Sequence, residues 1–251
     1  MKTKYFDVKD AGISVKCKLY YGEGHTFPRV VLACHGFGGN KDNAITQKLA
    51  ETLLPVHKDT AVLAFDWPCH GDDVKQKLSL QDCTRYLETV IHYAHHTLGA
   101  KTLLASGNSF GGYLLLKHLY EQENPFEKIL LRCPAVCMYQ ALMQGIVESG
   151  QAESLKKKDA LVGTEKKIRV CAAFVEELKN NDITAWDYTN HTDEVLILQG
   201  TKDELIPHDT VQSFADKNGL DMISVENADH RFRDPVKTRE FIDYAMQYFF
   251  E

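Results

Sequence analysis

Along the chain, short continuous apolar runs alternate with stretches of helical period. The runs are Val30–Cys34, Ala61–Phe65, Thr102–Ala105, Ile129–Leu131 and Val195–Leu198, with a weaker one at Met222–Val225. Unbroken apolarity suits strands buried on both faces of a parallel sheet better than strands with one wet face. Ahead of these runs, Tyr5–Lys9 and Ile13–Tyr20 flank Asp10-Ala11-Gly12 and predict an opening hairpin. Between the runs, Leu80, Cys83, Leu87, Val90, Ile91, Ala94 and Leu98 recur at helical spacing, and Ser79 with Asp82 supplies a capping signal. Such a βαβ series predicts an α/β fold, a mostly parallel sheet with helices on both faces. The stretch from Pro134 to Asp193 breaks the rhythm with helical pieces and the charge runs Lys156-Lys157-Lys158 and Lys166-Lys167, but no convincing strand. It is expected to be a short helical cap inserted over the sheet, the alternative being a pair of solvated crossover helices.

Composition changes this picture little. At 251 residues, 44% hydrophobic and 25% charged, the chain fits one ordinary globular domain spanning 1–251 with the insertion at about 134–193. A net charge of −6 with no basic stripe argues against nucleic acid or an anionic membrane as partner. The opening residues lack the apolar core of a secretory signal and no run is long enough for a membrane span, so the cytoplasm is the expected compartment. Seven cysteines, an odd number without a CxxC pair, are expected to be reduced and mostly buried. Cys69-His70 and Cys133 with Cys137 have no second pair to complete a zinc site, so no metal is expected.

In an open parallel sheet, ligands bind beyond the carboxyl ends of the strands, which makes the polar residues after each run the candidates. Gly107-Asn108-Ser109-Phe110-Gly111 fits the G-x-S-x-G elbow, in which small neighbours allow a tight strand-to-helix turn with an exposed serine at its tip. It follows an apolar run and precedes the helix-like Tyr113–Leu119, as the elbow requires; Ser106, the rival serine, lacks the two flanking glycines. A serine nucleophile needs a base with a pKa near neutrality, which means histidine. Of eleven histidines, His230 is preferred because it follows the last run and precedes the final amphipathic helix, with His208 as the rival. Asp203, in the turn after Val195–Leu198, completes the order Ser109, Asp203, His230; a structural role is expected of the nearby acids Glu204 and Asp229. The oxyanion would be met by the backbone N–H groups of Phe110 and of Phe37, the latter in the glycine-rich loop His35–Gly39.

His35–Gly39, Phe65–Gly71, Gly107–Gly112, Gly200–Asp203 and Ala228–Phe232 follow one another in an order that resembles the α/β-hydrolase superfamily over nearly the whole chain. Within it, the chain looks like the serine-aminopeptidase-like branch that contains monoacylglycerol lipases and bacterial cinnamoyl (feruloyl) esterases. It departs from that branch at Asn108, where His usually precedes the nucleophile, and at Asp66-Trp67-Pro68-Cys69-His70-Gly71, where Asp-x-Arg-Gly-His-Gly is commoner. The resemblance implies a cofactor-free serine esterase acting on small apolar or aromatic esters. A thioesterase or aminopeptidase on the same machinery, or a non-catalytic small-molecule receptor, is the alternative. Apolar and aromatic residues of the insertion (Val136, Met138, Tyr139, Leu142, Met143, Ile146, Phe174, Trp186 and Tyr188) are candidates to line a pocket or to pack the cap itself.

Overall fold

The computed structural model describes residues 1–10, 12–73, 75, 77–163 and 167–251, so Ala11 of the expected turn and Lys166 of the second charge run lie outside the described residues. Ten strands and eight α-helices are described: β1 (Lys2–Asp10), β2 (Ile13–Tyr21), β3 (Arg29–Cys34), α1 (Ala44–Leu53), β4 (Thr60–Phe65), α2 (Leu80–His96), β5 (Thr102–Asn108), α3 (Phe110–Glu121), β6 (Lys128–Arg132), α4 (Met138–Glu148), α5 (Ala152–Lys157), β7 (Asp159–Val162), β8 (Ile168–Cys171), α6 (Ala172–Asn180), β9 (Val195–Gly200), α7 (His208–Asn218), β10 (Asp221–Val225) and α8 (Pro235–Phe250). Eight strands form one sheet in the order β1-β2-β4-β3-β5-β6-β9-β10. β1 and β2 join antiparallel, as does β2 with β4, and every pairing from β4 to β10 is parallel.

The apolar runs become strands because both of their faces are covered. Val30, Leu32 and Cys34 enter a core with α2, α3 and α7, while Val31 and Ala33 enter a second core with α1 and α8. Burial is continuous in β4 and β9 and lapses in β10, the edge strand whose run was the weakest in sequence. At the opposite edge β1 is largely exposed and carries Lys2, Lys4, Asp7, Lys9 and Asp10, charges that discourage edge-to-edge pairing. Helix starts are fixed locally: the side chains of Asn43, Ser79 and Asp234 accept from amides of the first turns of α1, α2 and α8, and α8 has Pro235 at its first turn.

The segment between β6 and β9 corrects one expectation. Besides α4, α5 and α6 it contains the antiparallel hairpin β7–β8, with Asp159 opposite Cys171 and Val162 opposite Ile168. These strands have four residues each and alternate buried and exposed positions. Half-buried alternation over so short a span does not stand out from helical surface pattern. Ala160, Val162, Ile168 and Val170 turn inward and join the main core, together with Phe174 and Leu178 of α6.

Candidate active site

Ser109 sits between the end of β5 and the first turn of α3 with φ 52° and ψ −114°, a conformation that L-residues adopt only under constraint. The constraint is visible. Its N–H donates to the Arg132 carbonyl (3.1 Å), and its own carbonyl accepts from Tyr113 (3.0 Å) and Ala135 (3.1 Å). Glycine relieves crowding on both sides, most strictly at Gly111. A Cβ on Gly107 would lie 2.6 Å from the Leu115 side chain, and one on Gly111 would lie 2.3 Å from the Cys34 carbonyl oxygen. Although Ser109 occupies the N-cap position of α3, its side chain makes no capping bond.

The hydroxyl instead meets a histidine. His230 Nε2 lies 2.9 Å from Ser109 Oγ, and His230 Nδ1 lies 2.9 and 2.8 Å from the two carboxylate oxygens of Asp203. Asp203 is held on every side: Oδ1 accepts the amides of Leu205 (2.9 Å) and Ile206 (2.8 Å), and Oδ2 accepts Gln199 Nε2 (3.0 Å). Burial alone would raise its pKa, but the His230 contact and these amides outweigh burial and leave it below the usual carboxylate range. An ionised carboxylate can only accept, so Nδ1 carries the hydrogen and the Nε2 lone pair faces Ser109. Sequence reasoning therefore named three residues that the fold brings into one line.

The rival candidates are placed elsewhere. His208 Nε2 meets Ser224 Oγ at 2.7 Å, and Ser106 lies within β5 between Ala33 and Leu130. Glu204 accepts the backbone N–H of His230 (3.2 Å), and Asp229 accepts from Arg233, which fits their expected structural roles.

The glycine-rich loop passes directly beside the elbow. A Cβ on Gly36 would come within 3.2 Å of Ser109 Cβ, and the Phe37 and Phe110 rings meet edge-on with centroids 5.7 Å apart. The loop is pinned at both ends. At its start, buried His35 donates from Nδ1 to the Gly36 carbonyl and accepts the Trp67 amide at Nε2; Trp67 Nε1 returns a bond to the His35 carbonyl. Burial pushes the pKa of His35 down to about 4, which keeps the ring neutral and this pattern intact. At its end, Lys41 donates its amide and its ammonium to buried Asp66 (2.7 and 3.2 Å) and reaches Asp42 (3.1 Å) and Asp72 (2.5 Å). Burial opposes the Lys41 charge, yet the bond to Asp72 and the field of Asp66 more than compensate and raise its pKa. Gly71 allows Asp72 to close this cluster, because a Cβ there would fall 2.2 Å from the Asp66 carboxylate.

Sequence reasoning missed three contributors. Lys41 had no motif around it. Arg132, buried at the end of β6, donates Nη1 to the Arg231 carbonyl (2.5 Å) and lies over the rings of Phe232 and Phe241, securing the loop that carries His230. Cys133, read in sequence as a buried thiol and weighed with Cys137 as a metal pair, groups with Asp203 and His230: thiol, carboxylate and imidazole atoms all lie within 4.8 Å of one another. That trio has the donor types of a soft-metal site, but the carboxylate and imidazole are already bonded to each other and the carboxylate accepts three further donors.

A cavity of about 170 Å³ is lined by Tyr113 of α3 and by Val136, Met138, Tyr139, Leu178 and Asn181 of the segment 134–193, among others, and its lining includes none of Ser109, Asp203 and His230. Of the insertion residues considered as pocket lining, Leu142, Ile146, Phe174 and Tyr188 are core, and Trp186 stacks on Tyr120 with ring centroids 4.3 Å apart.

Comparison with known proteins gives the family and the fold. The model of the serine aminopeptidase (S33) family matches residues 27–185, more than half of the chain. The chain belongs to that family. The matched stretch includes Ser109 and ends before Asp203 and His230. Among solved structures, this family member is similar to Est1E from Butyrivibrio proteoclasticus with bound ferulic acid, at TM-score 0.75 and 16% identity over 97% of this chain and 98% of that one. A putative hydrolase from Agrobacterium vitis S4 has TM-score 0.74 and 15% identity over 98% of both chains. Mouse alpha/beta hydrolase domain-containing protein 10 has TM-score 0.72 and 17% identity over 97% of both. At these identities the likeness concerns the fold, which is that of the α/β hydrolases. No curated protein matches the chain in sequence. Among the described residues, no helix is long and apolar enough to cross a membrane.

Proposed function

We propose that the chain is a serine hydrolase that cleaves carboxylic esters of modest size, apolar or aromatic, with Ser109 as nucleophile, His230 as general base and acid, and Asp203 as the carboxylate that orients it. The observation that carries this reading is the continuous line of contacts from Ser109 Oγ through His230 Nε2 (2.9 Å) and Nδ1 to Asp203 (2.8 Å). In the first step His230 Nε2 takes the serine proton as Oγ attacks the ester carbon, and Asp203 stabilises the imidazolium that forms. The N–H groups of Phe37 and Phe110 meet the oxyanion, each worth roughly 2.7–4 kcal/mol in the transition state. Collapse of the tetrahedral intermediate expels the alkoxide, which takes the proton from His230 and leaves an acyl-Ser109. Water then enters, loses its proton to His230, and releases the acid as Oγ recovers its hydrogen. Every proton moves between groups of the chain, substrate and water, so the scheme uses no cofactor or metal.

On this reading the chain is one catalytic domain over 1–251, and the stretch 134–193 is a cap that selects substrate beside the cavity near Tyr113 and Tyr139. The ferulic acid bound in the Est1E structure supports an aromatic acyl group as the first to try. The family's description favours a second reading, an aminopeptidase with the same triad and an amine leaving group. Acid-quenching the protein during turnover of methyl ferulate or p-nitrophenyl acetate, followed by peptide mass spectrometry, tests the scheme. An acyl group on the Ser109 peptide is expected. Turnover without acyl on that peptide overturns the covalent route, and faster cleavage of aminoacyl amides than of esters moves the protein to the peptidase reading.

A further inference from the structure

We propose that Gln199 is a positioning residue that aims the Asp203 carboxylate at His230, an inference that rests on the triad reading above. Gln199 is the penultimate residue of β9 and is fully buried. Alternation along the strand puts it on the face of Val195 and Ile197, which enter the main core with Ile206 and Val211. An apolar side chain would suit that face. The amide found there instead directs both of its hydrogens at the turn that carries Asp203: Nε2 donates to Asp203 Oδ2 (3.0 Å) and to the Ile206 carbonyl (3.1 Å). An ionised carboxylate and a carbonyl can only accept, which fixes the end of the amide that faces them as nitrogen.

The two bonds close a ring around the carboxylate. Asp203 Oδ1 accepts the amides of Leu205 and Ile206, so Ile206 is held through its N–H by Asp203 and through its C=O by Gln199. Among the described residues, the hydrogen bonds to Oδ2 come from Gln199 and His230. Without Gln199, Oδ2 would be oriented only by the imidazole that it has to orient. A neutral donor does this without cancelling the charge that the imidazolium needs. The arrangement also has a cost. Gln199 Oε1 is buried with no hydrogen-bond partner among the described residues, and a buried acceptor left unmade destabilises the folded chain. Methionine, of similar length, would remove the orphaned oxygen and match the neighbouring core. The amide at 199 therefore serves the carboxylate more than it serves the fold.

The test compares wild type with Gln199→Met for turnover of p-nitrophenyl acetate, for the unfolding midpoint, and for the low-field proton NMR resonance of His230 Nδ1–H. Loss of a hydrogen bond to a charged acceptor that keeps its other donors predicts that kcat falls roughly fivefold to fiftyfold with KM within about twofold. The unfolding midpoint should stay at the wild-type value or rise, because the orphaned oxygen goes with the amide. The Nδ1–H resonance should broaden, since a carboxylate free to turn lets that hydrogen exchange with water faster. A Met variant with wild-type kcat and an unchanged resonance overturns the inference. So does a Met variant that fails to fold or whose loss of activity follows a lowered midpoint, because Gln199 would then act on the fold and not on Asp203. Fluorophosphonate labelling of the wild type separates the two levels: no labelling of Ser109 refutes the triad itself, whereas labelling together with wild-type kcat in the Met variant refutes only the role of Gln199.

Discussion

The loops that leave β3, β5, β6 and β9 and the inserted segment 134–193 differ in how tightly the sheet dictates them. In the first region Ser109 follows the mostly buried β5 and Asp203 the fully buried β9, while His230 follows the less buried edge strand β10, and backbone bonds tie Ser109 to Arg132 and Cys133 to Leu198. In the second, three helices and a small hairpin bury Phe174, Leu178 and Tyr188 in the main core while Val147 and Leu161 stay exposed. The contrast suggests a division of labour. On the proposed function, positions where an error of an ångström stops the reaction follow parallel strands, and the positions proposed to choose the substrate lie in a segment apart from those strand ends.

The largest effect should come from the elbow. Ser109→Ala is expected to lower ester turnover by about 10⁴-fold or more while leaving the unfolding midpoint near wild type, since only a partly exposed hydroxyl is lost. Asp203→Asn should follow at about 10⁴-fold, because an amide cannot enforce the Nδ1–H tautomer. Comparable turnover in either variant would break the comparison on its catalytic side.

Next in size are losses of stability. Lys41→Met leaves Asp66 buried without its cation and should cost about 3–5 kcal/mol in urea unfolding. Phe174→Ala should cost about as much by cavity formation, which would show that the insertion also stabilises the fold. An exposed insertion substitution such as Val147→Ser is the control and should change little.

The pH dependence of stability is a third, smaller effect. Burial pushes both His35 and His118 down to about 4, from a reference value of 6.5. Between those values the unfolded chain binds protons that the folded chain refuses, so stability is full above about pH 6.5 and falls as pH drops toward 4. The two rings together should remove on the order of several kcal/mol, each losing about 1.36 kcal/mol for every pH unit between its unfolded and folded values. Denaturant titrations at pH 7.5 and 4.5 read this directly; His118→Gln should flatten the slope, and a wild-type slope already flat would contradict the burial account.

The smallest effect should sharpen the other side of the comparison. Tyr139→Ala, beside the cavity, is expected to raise KM for methyl ferulate severalfold, about the value of one partly buried aromatic contact, with turnover of p-nitrophenyl acetate unchanged. Equal losses on both esters would mean that the insertion supports the catalytic loops instead of selecting substrate.

What could be read from sequence follows the same division. Continuous apolarity located β3, β4, β5, β6 and β9 because two covered faces demand it, and glycines flagged the elbow because Cβ atoms do not fit there. The β7–β8 hairpin was missed because its alternation is short and half exposed. Lys41 gave no signal, since its partner Asp66 lies on a different strand end and only the fold joins them. Cys133 looked like an ordinary core thiol, and its apolar neighbours in β6 concealed that the chain turns there into a left-handed conformation facing Asp203.

The most direct test of the central claim is the rate of labelling by a fluorophosphonate probe, with the modified residue identified by mass spectrometry, in wild type, Ser109→Ala and His230→Ala. The account predicts stoichiometric labelling of wild type at Ser109, none of the serine variant, and labelling of the histidine variant slower by several orders of magnitude. Wild-type labelling at another residue, or undiminished labelling of His230→Ala, would contradict it.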